Sequence, residues 1–253
     1  MPTLQHRHLL LSGRPLKPDL FEFRADRAVF EDAGTDAAED TDPVYQWNDQ
    51  GPSSYHATQV TLASRPTLSS AAVPNYISWD GTDDRMLFGG SAVLANTNAP
   101  FSIEAWVNLT SFGFTVFPGV IGLKTNTTDL WQVGISNNAS YLGLHFGSSS
   151  TWSRLKTDTA AASWLGADRH VVVTYNGGGA GTAANFAAYI DGVPQTLTTP
   201  AAFGAAANTS SVIGASTIAA TEKWHGRAYK YAGFSRALTP AQVLARYALG
   251  VSG

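Results

Sequence analysis

The chain contains no cysteine. That excludes disulfides, thiolate nucleophiles and zinc–thiolate centres, and it leaves packing and hydrogen bonding to hold the fold. Charge is also scarce: Asp, Glu, Lys and Arg make up 14% of the 253 residues, against roughly a quarter in an average globular chain. Long exposed helices need more Lys and Glu than this. The formal net charge is −3 with a pI of about 6.0, so there is no basic footprint for nucleic acid or an anionic membrane. Long apolar runs are missing too. The opening MPTLQHRHLLLSGRP offers only Leu9 to Leu11, far short of a signal-peptide core or a membrane span. Neither membrane insertion nor export through a signal peptide is expected.

Catalytic signatures are equally sparse. No G-x-S-x-G elbow occurs, and the histidines at 6, 8, 56, 145, 170 and 225 show no metal-ligand spacing on a common element. Gly177 to Gly181 lacks the Lys and Ser/Thr of a phosphate loop and reads as a hairpin connection. Glycoside cleavage needs two carboxylates aimed at one bond. None of the glutamates, at 22, 31, 39, 104 and 222, falls in a pattern that would pair it on one strand face, and Glu104 stands alone on its strand. A non-enzyme is therefore expected, with no cofactor other than a candidate calcium ion.

What is abundant is the makings of short strands: Gly, Ser, Thr, Asn and β-branched residues in runs of four to eight, bounded by turn residues. Phe101, Ile103, Ala105 and Val107 alternate with Ser102, Glu104, Trp106 and Asn108 at period two. The same alternation marks Trp131, Val133 and Ile135; Leu142, Leu144 and Phe146; and Phe186, Ala188 and Ile190. His170 to Tyr175 is richer, as a central strand covered on both faces would be. Asp191-Gly192 signals a type I′ hairpin. One helix is expected at the end, with Thr239 as cap, Pro240 in the first turn and Gln242 completing a capping box, its Val243, Leu244 and Tyr247 sharing a face. The acidic stretch 31–42 reads as a solvated loop. The expected fold is thus all-β, with residues 1–17 as an N-terminal arm and 18–253 as one domain.

Six segments in order resemble the laminin-G-like, concanavalin A-like jelly-roll superfamily: VYQWNDQGPSSYHATQ with Arg65-Pro66, WDGTDDRMLF, FSIEAWV, WLGADRHVVVTYNG, AAYIDGV, and VIGAS leading to WHGRAYKYAGFSRALTPAQV. The resemblance implies a two-sheet antiparallel jelly-roll sandwich with a short C-terminal helix. It covers most of the chain. Ala228-Tyr229 replaces the superfamily's usual Ile-Asp, with Lys230 following, and Gly214 to Ala220 lacks the carboxylates with which pentraxin-type members gather calcium.

Three candidate sites follow. Asp80, Asp83 and Asp84 close the WDGTDD motif. They read as a hydrogen-bonded turn, or as a calcium site built from several carboxylate oxygens. Trp131 and Trp152, with Asn126 and Asp129 in the polar stretches beside them, are candidates for sugar stacking and hydroxyl contacts. The remaining motif tryptophans, Trp47, Trp79, Trp106 and Trp164, read as core. The opening residues resemble the start of some bacteriophage virion proteins, which implies docking to capsid or tail proteins through Leu4, His6, Arg7, Leu9, Leu11 and Arg14. On this reading the chain is a non-catalytic structural or decoration protein of a virion assembled in the host cytoplasm. It touches host-surface glycans and not nucleic acid, and a homo-oligomer is compatible with it. The alternatives are a free carbohydrate-binding lectin module and, third, a glycoside hydrolase.

Overall fold

The computed structural model describes residues 16–89, 99–111, 119–124, 129–136, 141–148, 153–160, 165–178, 182–198, 210–215 and 223–251, with the backbone alone between 119 and 160. The strands are β1 (Phe21–Arg24), β2 (Val29–Phe30), β3 (Gln46–Trp47), β4 (Ala57–Thr58), β5 (Thr67–Ser69), β6 (Tyr76–Asp80), β7 (Met86–Phe88), β8 (Phe101–Leu109) and β9 (Gly119–Lys124). They continue as β10 (Asp129–Ser136), β11 (Tyr141–Ser148), β12 (Ser153–Ala160), β13 (Asp168–Tyr175), β14 (Phe186–Ile190), β15 (Val193–Gln195), β16 (Leu197–Thr198), β17 (Ser210–Ile213) and β18 (His225–Phe234). One helix, α1 (Pro240–Leu249), follows.

Among the described residues these strands form two antiparallel sheets, one of eight strands running β15-β14-β13-β8-β18-β6-β5 and one of ten running β16-β12-β11-β10-β9-β17-β7-β4-β3-β2. The eighth strand of the smaller sheet, β1, also pairs with β18. This is the expected sandwich. Period-two alternation on β8 sends Phe101, Ile103, Ala105, Val107 and Leu109 into the core between the sheets, where they meet Trp47, Trp79, Phe88, Tyr175 and Tyr231. Each such side chain contributes roughly 1.5–3 kcal/mol by leaving water. Trp47, Trp79 and Trp106 are buried as expected, and so is Trp224; Trp164 lies outside the described residues.

Every residue of β8 is buried, so its second face is covered as well. The cover is α1. Val172, Tyr189, Ala232, Phe234, Leu238 and Val243 form a second cluster outside the eight-stranded sheet, with Leu16 packed against it. The helix begins as its sequence dictates: Thr239 Oγ1 accepts from the Gln242 amide at 3.3 Å, and Gln242 Oε1 accepts from the Thr239 amide at 2.8 Å. Its inward face is the expected one with Arg246 added: Val243 and Arg246 are buried, Tyr247 stacks on Trp106 and His170, and Leu244, 45% exposed, lies at the margin. The Asp191-Gly192 turn joins β14 to β15 with φ values of 53° and 76°, the left-handed pair that a type I′ hairpin requires.

The acidic stretch is ordered by its own carboxylates: Asp32 accepts from the amides of Gly34, Thr35 and Asp36, and Asp40 from those of Ser70 and Ala71. No helix among the described residues is long and apolar enough to cross a membrane.

Candidate functional site

The Asp80–Asp84 turn carries the chain from β6 in one sheet to β7 in the other. Gly81 is required there: its φ is +73°, and a Cβ would lie 2.6 Å from the Cβ of His225. The acids organise the turn. Asp80 Oδ1 accepts from the Thr82 amide at 2.6 Å, Asp84 Oδ2 accepts from the Asp80 amide at 2.8 Å, and Asp83 Oδ2 accepts from Ser64 Oγ at 2.8 Å. Their carboxylate oxygens still lie within 4.8 Å of one another. Burial pushes the Asp84 carboxyl up to about 7, and the charges of Asp80 and Asp83 push the same way. Both readings of the motif therefore meet here: the turn exists, and it brings together three oxygens of the six to eight that calcium takes.

The second constellation is one the sequence did not reveal. Glu104, on the outward face of β8, is fully buried and accepts a hydrogen bond from Arg246 Nε on α1. His170 Nε2 on β13 lies 3.4 Å from its Oε1 and Lys230 Nζ on β18 3.9 Å. Burial alone would raise this carboxyl; the His170 contact and the charges of Arg246 and Lys230 outweigh it and hold it down to about 2. Lys230 is 2% exposed, lies 3.4 Å from Glu22, and is lowered chiefly by burial. Arg246 also donates to the carbonyl of Leu16 at 2.6 Å, while Tyr247 stacks on Trp106 at 5.8 Å and 11°. Glu104 thus faces cations under a helix. General acid catalysis needs the opposite, a carboxyl raised toward neutrality and within reach of a leaving group.

Of the four residues expected to contact sugars, Asp129 and Trp131 lie on β10, and Asn126 and Trp152 lie outside the described residues. The ladder puts Trp131 in one row with Leu123 and Phe146, flanked by Ser211 across β9. Ser211 alternates in phase with Ile213, a core residue. The alternate row runs through Gly122, Gln132, His145 and Arg154. Leu4, His6, Arg7, Leu9, Leu11 and Arg14 lie outside the described residues; the chain enters them from Leu16, against α1.

Over residues 80–244 the sequence matches the family described as the concanavalin A-like lectin/glucanases superfamily, in its laminin-G form. The chain belongs to this superfamily. A concanavalin A-like sandwich is also what the solved structures show. The binding domain of Paraclostridial Mosquitocidal Protein 1 aligns with a TM-score of 0.62 at 10% identity, over 91% of this chain and 52% of that one. Domain 4 of AbnA, a GH43 extracellular arabinanase from Geobacillus stearothermophilus solved with arabinotriose, aligns at 0.58 and 16%, over 91% and 98%. Trypanosoma rangeli sialidase aligns at 0.58 and 14%, over 90% and 32%. The chain spans about half of the toxin domain and about a third of the sialidase, and identities this low show a shared fold alone. No curated protein matches the chain.

Proposed function

We propose that the chain is a non-catalytic binding module that recognises glycans and is carried on a larger particle, of virion type, through residues 1–17. The observation that carries the non-catalytic part is Glu104: the buried carboxylate of the central strand is neutralised by Arg246 and Lys230, lies beside His170 and is sealed under α1. Among the described residues the one group of three acids spaced to hold a metal ion is the β6–β7 turn, whose carboxylates hold the turn's own backbone. Glycan recognition draws support from the superfamily and from the arabinanase domain, which shares the fold over nearly its whole length and was solved with arabinotriose.

Particle docking rests on the basic opening sequence. It is tested by a truncation that must stop at Pro15, because Leu16 packs on the second cluster and binds Arg246. The chain beginning at Leu16 is expected to fold with an unchanged unfolding midpoint and to be missing from assembled particles. Full incorporation of the truncated chain rules out the docking role. The calcium reading of Asp80, Asp83 and Asp84 is checked by calorimetric titration, in which binding is lost in Asp83→Asn.

A further inference from the structure

One edge of β18 is shared by two strands placed end to end. β6 pairs with His225 to Ala228, and β1 takes over from Lys230 to Gly233. Tyr229 falls at the junction, at a β-bulge where the pairing of β18 with β8 slips by one residue. Neither edge strand closes the seam. β1 leaves the sheet after Arg24, with Ala25 donating its amide to the Tyr229 carbonyl at 2.9 Å, and β6 begins only at Tyr76. The gap is a cleft of about 170 Å³ lined by Asp26, Val73, Pro74, Asn75, Tyr229 and Val251.

The lining is of two kinds. Val73, Pro74 and Val251 are apolar, and Val73 is 98% exposed. Asp26 and Asn75 are polar, and Asp26 is fixed: Arg24, itself 7% exposed, grips it with Nε to Oδ1 and Nη2 to Oδ2, each at 3.0 Å. That fork uses two of the roughly four positions at which a carboxylate accepts, leaving each oxygen one more. Asn75 offers both a donor and an acceptor. Tyr229 is held in turn: its hydroxyl donates to Asp168 Oδ1 at 2.7 Å, and its ring meets Tyr76 edge-on at 6.0 Å, with the Arg227 guanidinium capping the Tyr76 ring. The cleft is therefore built from groups locked by neighbours. Arg24 and Arg27 offset the Asp26 charge, so it does not select a cation.

We infer that this seam is a sugar-binding subsite, in which Asp26 and Asn75 take a pair of adjacent hydroxyls while the C–H face of the ring packs on Pro74 and Val251, with Tyr229, 4% exposed, closing the base of the cleft. A neutral sugar matches the mixture: one apolar face, directional hydroxyls and no net charge. This rests on the glycan-binding reading above and names a site for it.

The test is a heteronuclear NMR titration of the full chain with arabinotriose, glucose, galactose, mannose and N-acetylglucosamine, repeated on Asn75→Ala and on Val251→Lys. At least one sugar is expected to shift the amides of Arg27, Asn75, Tyr229 and Val251, and Asn75→Ala is expected to weaken its binding about tenfold, the loss of one to two hydrogen bonds. Urea midpoints equal to the parent's establish that both variants fold. Sugar-induced shifts confined to the ten-stranded sheet, or affinity unchanged in both variants, overturn the subsite and leave glycan binding standing. No shift with any sugar overturns both.

Discussion

Replacing Glu104 by Gln keeps the shape of the side chain and removes its charge, leaving Arg246, Lys230 and His170 around an uncharged amide in a space closed to water. Breaking a buried ion pair from one side costs about 3–5 kcal/mol, because the partner is left uncompensated. A second route gives a similar size. The folded chain holds the Glu104 carboxyl at about 2 against an ordinary 4.5, and at 1.36 kcal/mol per pH unit that is about 3 kcal/mol. The sign follows from proton binding. Between pH 4.5 and 2 the unfolded chain takes up the proton more readily, so this stability is complete above pH 4.5 and is lost as pH falls toward 2. Urea unfolding followed by tryptophan fluorescence at pH 7 and pH 3 measures both effects. Glu104→Gln should lose about 3–5 kcal/mol at pH 7 with an unchanged m-value, and its acid sensitivity over this range should flatten. Glu104→Gln/Arg246→Met should cost less than the sum of the single changes, since each already breaks the same pair. A loss below about 1 kcal/mol, or an acid limb identical to the parent's, would refute the reasoning, for it would mean that water reaches the cluster.

Asp84 runs the other way. With its folded carboxyl raised to about 7 from 3.8, the folded chain binds the extra proton between these values, so stability falls as pH rises through them. Asp84→Asn keeps the acceptor for the Asp80 amide and should be about 1–2 kcal/mol more stable than the parent at pH 8, after allowance for water near the turn. Thermal melts check this, and equal midpoints for parent and variant at pH 8 contradict it. Gly214→Ala places a Cβ 2.2 Å from the Trp79 ring at a φ of +79°; chemical denaturation should show a loss of about 2–4 kcal/mol from overpacking and left-handed strain, and a neutral result would contradict the packing of Trp79.

The parts of the fold legible in the sequence are those encoded locally. FSIEAWV alternates at period two, and β8 does alternate; Asp191-Gly192 signals a hairpin, and its dihedrals are those of one; Thr239, Pro240 and Gln242 spell a helix start, and the hydrogen bonds form. The Glu104 cluster is different. Its partners come from β13, β18 and α1, and Arg246 lies 142 residues from Glu104, so each reads alone as an ordinary polar or charged residue. That is also why the apolar residues of α1 gave only part of its inward face: Arg246 joins Val243 there because its partner is buried. The seam between β1 and β6 exists only once both strands meet one edge of β18, and nothing near Asp26 or Asn75 in the chain announces it.

The central claim, that the sandwich binds glycans without cleaving them, is tested most directly by incubating the full chain with an oligosaccharide it retains and reading the sugar by mass spectrometry. Intact oligosaccharide with no new reducing ends is the predicted result. Shortened products that disappear in Glu104→Gln would contradict the account.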